Sequence, residues 1–422
     1  MTIPFPLDHV PISRRPRIAW FRRTRILTLL VTGYVALLPY QFEVGKRMNF
    51  APADCLLLLI LLLAAGQLKY RKPAWTVWHL GIVTTFAVGS LVAALSFGQL
   101  SSYEWVNKDA GLILPFLSYA AITTAVIEWE DLRRILRIFT LSVMFENFLA
   151  VGAFLGAYFF GIANPFARYG PRLSGMLLDP NAYGGLLVVA LVVCEGASWG
   201  QAPLFKRPTL WMARITLALG ILFTFSRSAW TGLGFALVLF CAIRPAVAVR
   251  TIGAGLIGAP LLMLGMGRHF WPFFQEMASR PQQVQQRFDL IERALQSFAR
   301  DPWLGGGLGS FRLGAGEVAH NSAMWFLADF GVLGLAALIG FLAWFFAKGW
   351  FSYRLAPERE KPLALALLLA HAAMLGLAMG IEAFYQRHWW LVFGLIASSY
   401  CITLRPARPR AAKPEVSAHA HS

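Results

Sequence analysis

The sequence predicts an all-α, polytopic integral membrane protein of about twelve transmembrane helices, with one large outer loop carrying an amphipathic helix. Three observations predict it. The 422-residue chain is 57% hydrophobic and only 14% charged, against roughly a quarter charged in soluble domains. Its formal net charge is nevertheless +17, from 38 Lys and Arg against 21 Asp and Glu. Its apolar residues also fall into separated runs, each close to the ~20 residues that cross a bilayer core. These features exclude a disordered chain, a disulfide scaffold and a cytosolic enzyme. A nucleic-acid binder would also be basic, but would not carry runs such as Cys55 to Ala65.

The apolar runs place the spans at 26–42, 51–68, 77–97, 110–127, 132–160, 182–199, 209–225, 228–243, 246–266, 321–347, 363–381 and 388–404. Residues 1–25 read as a cytoplasmic basic segment that runs into the first span without a signal-peptide cleavage pattern. Residues 26–404 form the membrane domain, and 405–422 a cytoplasmic tail. With the N-terminus inside, 25 of the 38 cations fall on inner connections and 13 on outer ones, the bias that the positive-inside rule requires. Both termini are then cytoplasmic. The four cysteines lie in apolar runs without CxxC spacing and read as membrane-buried thiols.

The outer connection 267–320 is far longer than its neighbours, which marks it as functional or independently folded. Val284, Phe288, Ile291, Leu295 and Phe298 recur at helical spacing, predicting a helix over 282–299 that lies against the membrane domain. Asp301-Pro302 ends it, and Gly305 to Gly309 reads as a flexible, tight-turning stretch. At 100° per residue Arg287 lies about 60° from the centre of the apolar stripe and Arg293 nearly opposite it. Arg287 is therefore expected to face the membrane domain. Arg293 is expected to face water, paired with Asp289 at i,i+4.

Several further outer-face residues are candidates for chemistry. Arg227, in Thr224 to Ser228, reads either as an interfacial cation or as an anion site, because cations are disfavoured on this side. Arg172, with Asp179-Pro180-Asn181, reads equally as a solvated turn that starts a helix or as a binding element. His320-Asn321 opens the tenth span, and a neutral imidazole there can accept a proton. Glu146, Glu195, Asp329 and Glu382 fall in or near spans, where acids are expensive. There is no P-loop and no HExxH, so the sequence offers no nucleotide cofactor and no metal site.

These residues also fit a known pattern. Arg287-Phe288-Asp289, Asp301-Pro302-Trp303-Leu304-Gly305, Gly307-Leu308-Gly309-Ser310-Phe311, Ala319-His320-Asn321 and Asp329-Phe330-Gly331 resemble the O-antigen ligase/polymerase superfamily. Upstream, Ser226-Arg227-Ser228 and Arg172-Leu173-Ser174-Gly175 with Pro180-Asn181 are similar to its Ser-Arg and Arg-x-Ser-Gly elements. The resemblance implies a glycosyltransferase of the bacterial inner membrane with a periplasmic active site, independent of nucleotide and metal. Its donor would be an undecaprenyl-diphosphate-linked glycan. Its acceptor would be lipid A–core for a ligase, or another lipid-linked glycan for a Wzy-type polymerase of O-antigen or exopolysaccharide; the ligase is the preferred reading. It implies His320, Arg287 and Arg227 as catalytic residues, and Arg172, Asn321, Arg293 and Asn181 as substrate-binding residues. No nucleic-acid partner is expected, and the oligomeric state is open. A transporter would instead show two related halves with interrupted helices, and no such pairing is visible in the sequence.

Overall fold

The computed structural model describes residues 17–44, 48–65, 73–97, 111–167, 172–177, 179–253, 275 and 281–405. Its helices are α1 (Arg17–Leu37), α2 (Pro52–Ala65), α3 (Val77–Phe97), α4 (Gly111–Ala125), α5 (Trp129–Phe160), α6 (Pro180–Gly196), α7 (Arg207–Thr224), α8 (Arg227–Ile243), α9 (Pro281–Arg300), α10 (Ser310–Ala315), α11 (Ser322–Leu355), α12 (Lys361–Ala378) and α13 (Arg387–Thr403). One short antiparallel hairpin, Phe42–Val44 with Met48–Phe50, departs from the all-helical expectation. α1 to α8 and α11 to α13 coincide with expected spans. The ninth, 246–266, is helical over 245–253 and then lies outside the described residues, as do residues 1–16, 267–274, 276–280 and 406–422. Among the described residues, α3, α5, α11 and α12 are long and apolar enough to cross a membrane by length and composition, and several others are apolar but shorter.

The helix boundaries follow from local chemistry. Asp179 caps α6 by accepting the N–H groups of Asn181 and Ala182, with Pro180 at the first position, where no N–H is needed. Ser226 caps α8 by accepting the N–H of Ala229. It follows Phe225, whose left-handed φ of 47° turns the chain sharply out of α7. Asn321 caps α11 by accepting from Ala323 and Met324.

α12 is buried almost all round and forms the centre of the bundle, flanked by α6, α8, α11 and α13. Glycine makes the closest crossings possible, as in other membrane helix pairs. A Cβ on Gly232 of α8 would stand 2.6 Å from the Ala373 carbonyl oxygen, and one on Gly376 of α12 would stand 2.9 Å from Gly232 Cα.

Polar contacts between elements sort the connections into two ends. At the end that the charge count assigns to the outside, Arg387 makes a two-pronged pair with Asp54. At the other, Arg133 pairs with Glu360 at 2.8 Å, Arg214 forks onto Glu195, and Arg244 donates to the Tyr353 hydroxyl. Each of the cations at this end ties two elements of the bundle together.

α11 is broken at Gly331, where φ is +64°. The freed carbonyls of Ala328 and Asp329 accept the N–H groups of Gly306 and Gly307, and the N–H of Val332 donates to the Pro302 carbonyl. The stretch after α9 therefore threads against the break, and a Cβ on Gly305 would stand 2.4 Å from the Asp329 carbonyl carbon. Asp329 fastens this crossing. Its carboxylate accepts from the N–H groups of Gly309 and Phe311, the Ser310 hydroxyl and the Trp325 indole. The glycine run expected to be flexible is instead held at every turn, because backbone replaces side-chain packing there.

Candidate active site

α9 has nearly the expected bounds, but its packed face is rotated. Leu290 and Ala294 are buried, whereas Phe288 is 62% exposed and Leu295 46%. At 100° per residue this rotation puts half-buried Arg287 near the centre of the packed face and leaves Arg293 exposed. The separation of the two arginines thus holds with a sharper geometry. Arg293 does not pair with Asp289: it reaches the Ala315 carbonyl at 3.4 Å, while Asp289 accepts from Gln285. Gln285 lies one turn earlier on the same helix and satisfies the carboxylate locally.

The Arg287 guanidinium enters a narrow space between α8 and the end of α12. Its Nη1 lies 3.4 Å from where a Cβ on Gly380 would sit, and that same Cβ would overlap Ser228 Oγ at 2.1 Å. Ser228 Oγ is buried, with no hydrogen-bond partner among the described residues. Burial, and then the nearby charge of Arg227, push the Arg287 pKa below the ordinary guanidinium value; the Asp179 carboxylate partly offsets them. Arg287 therefore lies in a partly desolvated space within the field of one cation, Arg227, and one acid, Asp179.

Arg172 joins the site from its other side. Its Nε donates to the Thr224 carbonyl at 2.9 Å and its Nη2 to Asn181 Oδ1 at 2.8 Å. The Ser226 hydroxyl donates to the same Asn181 oxygen. Asn181 thus locks the α5–α6 connection onto the α7–α8 corner, and its amide oxygen holds Arg172 next to the segment that carries Arg227.

His320 is brought in through the turn after α12. The Ala319 N–H donates to Glu382, Asn321 Nδ2 donates to the Met379 carbonyl, and the Ser322 hydroxyl bridges Ile381 and Ala383. This turn includes Gly380, the glycine against which Arg287 and Ser228 pack. His320 is half-buried, has a left-handed φ of 49°, and its imidazole makes no hydrogen bond among the described residues. Strain of this kind at a non-glycine residue persists only where its surroundings enforce it. Both sides of the Asn321 amide are engaged in holding the backbone.

The structure thus gathers Arg172, Asn181, Arg227, Arg287, His320 and Asn321 around one corner, and leaves Arg293 on the far side of α9. Sequence reasoning did not assign roles to Ser228 and Glu382. Glu382 carried a signal, being an acid near the end of an apolar span, but its target was the backbone of a residue over sixty positions away. The corner thus combines guanidinium groups, a residue type suited to anions, with an imidazole.

Residues 212–339 match the family model described as O-antigen ligase. Residues 212–339, less than a third of the chain, are thus similar to an O-antigen ligase domain. The superfamily resemblance of the motifs therefore holds, and this domain contains Arg227, Arg287, Arg293, His320 and Asn321. Arg172 and Asn181 lie upstream of the match yet are hydrogen-bonded to its corner. No curated protein matches the chain. The match supports, at family level, a glycosyltransferase-like enzyme of the ligase or polymerase type, and the long apolar helices support a membrane protein.

Proposed function

We propose that this protein transfers a glycan from undecaprenyl diphosphate to a sugar hydroxyl of lipid A–core, inverting the anomeric carbon without a metal. The reaction takes place at the periplasmic face of the inner membrane, with both chain termini in the cytoplasm. The observation that carries the reading is the Arg287–Arg227 pair beside the His320 turn. Arg287 and Arg227 with the single Asp179 carboxylate leave a positive surplus, which a diphosphate is suited to neutralise.

The chemistry follows from the leaving group. As the anomeric C–O bond breaks, its electron pair passes to the diphosphate, whose charge grows. Arg287 and Arg227 stabilise that charge, with Arg172 in support from its Asn181-fixed position. The acceptor hydroxyl attacks the anomeric carbon from the opposite side, and His320 takes its proton. Asn321 and Asn181 shape the site by holding His320 and Arg172. Arg293, on the exposed face of α9, meets the sugar portion of a substrate.

His320→Ala should lower transfer by about 100-fold or more, the usual range for a lost general base. Measuring turnover of the purified variant against wild type checks this; undiminished activity removes the base role. A deletion strain separates the two acceptors. Loss of a ligase leaves finished polymer on undecaprenyl diphosphate, as expected here. Loss of a polymerase would instead leave single repeat units on lipid A–core.

A further inference from the structure

A second polar cleft opens on the far side of α9 from the Arg287–Arg227 pair. Its volume is about 490 Å³, within the ~300–1,000 Å³ range of small-ligand sites. α9 contributes Arg293, Gln296 and Arg300 to its wall, the following turn Asp301, α10 Ser310, and the end of α3 Phe97. Arg293 makes only the long contact to Ala315, and the side chains of Arg300 and Asp301 make no hydrogen bond or ion pair among the described residues. Two guanidinium groups against one carboxylate give the cleft a positive surplus. The N–H groups of Gly305 and Gly306 and the Gln296 Nε2 are already hydrogen-bonded, which leaves the oxygens of these residues as acceptors for hydroxyl groups. The Phe97 ring, 47% exposed, offers a flat apolar wall.

We propose that this cleft is a subsite for an anionic glycan segment, one whose sugars carry carboxylate or phosphate groups. Its use in transfer rests on the function proposed above. At 1.5 Å per residue, Arg293 and Arg300 lie about 9 and 20 Å along the helix axis from Arg287. A segment held there is several sugars removed from the reacting carbon. The cleft therefore selects among glycans and leaves the bond-breaking step untouched.

The test titrates the full chain in nanodiscs with tetragalacturonate and with its fully methyl-esterified form, which differs only in charge. The acid should bind at least about ten-fold more tightly, and Arg293→Gln and Arg300→Gln should each remove about ten-fold of that affinity. Gly314→Trp provides a variant that fills the cleft without strain, because a Cβ at Gly314 meets no atom within 4 Å. It should abolish binding. Equal binding of the ester, or indifference to all three substitutions, overturns the proposal. If Arg287→Ala alone removes binding, the sugar occupies the diphosphate centre and the cleft assignment falls while the transfer reading stands. If the acid binds as expected but no lipid-linked glycan is transferred, the transfer reading falls and the cleft stands. Steady-state transfer then identifies the source of the segment. Arg300→Gln should raise KM, with kcat kept, for whichever substrate carries the acidic sugars, donor or acceptor; no rise for either overturns the proposal.

Discussion

Arg287→Ala should reduce glycan transfer by about 100- to 1,000-fold, the loss seen when one oriented electrostatic group is removed from a developing anion. The size follows from placement. Arg287 is half-buried at the centre of the packed face of α9, its guanidinium wedged beside Gly380 and Ser228 and within the field of Arg227. Water entering the vacated space is a poor substitute for a fixed cation. Arg287→Lys should recover only part of the loss, because an ammonium cannot make the two-pronged contact that a guanidinium makes to a phosphate. Arg293→Ala, measured at saturating substrate, should cost much less, since that side chain lies on the exposed face. An equal loss of turnover in the two alanine variants would contradict the assignment of faces.

Asp329→Asn should destabilise the whole outer half of the molecule. The carboxylate is 1% exposed and accepts four hydrogen bonds, two on each oxygen. An amide of the same shape turns one acceptor into a donor, so two buried donors lose their partner and face N–H groups. Each such loss costs about 1–3 kcal/mol, giving about 2–6 kcal/mol together. The glycine crossing at Gly305 to Gly309 and the start of α10 should loosen first, since Asp329 is their shared anchor. Thermal unfolding in detergent should show a lower midpoint, and amide exchange over residues 305–311 should speed up. Wild-type values for both would show that the crossing is held by its backbone contacts alone. Asp329 thus acts on the fold, which explains an acid in a membrane helix without a role in proton transfer.

The structure follows the sequence most closely where local rules decide. The α9 boundaries, the Asp179-Pro180 start of α6 and the opposite fates of Arg287 and Arg293 all come from helix spacing and capping. The rotation of α9 was not legible. A stripe drawn from apolar residues assumes that the greasiest face is the packed one, whereas here the packed face includes an arginine and leaves Phe288 and Leu295 outside. The break at Gly331 was hidden for a similar reason. Its cause is a backbone crossing by residues nearly thirty positions earlier, and local propensity does not register a distant carbonyl. The contribution of Asn181 also depends on a residue outside its own segment, Ser226. The motif around His320 pointed to that residue, but its left-handed backbone and the clasp from Met379 to Ala383 are tertiary facts.

The most direct measurement reconstitutes the purified protein in nanodiscs with labelled undecaprenyl-diphosphate-linked glycan and lipid A–core, without nucleotide. The account predicts that label moves to lipid A–core, that undecaprenyl diphosphate is released in equal amount, and that Arg287→Ala stops both. Label that stays on the donor in the presence of the wild-type protein, or release of free glycan without transfer, would contradict it.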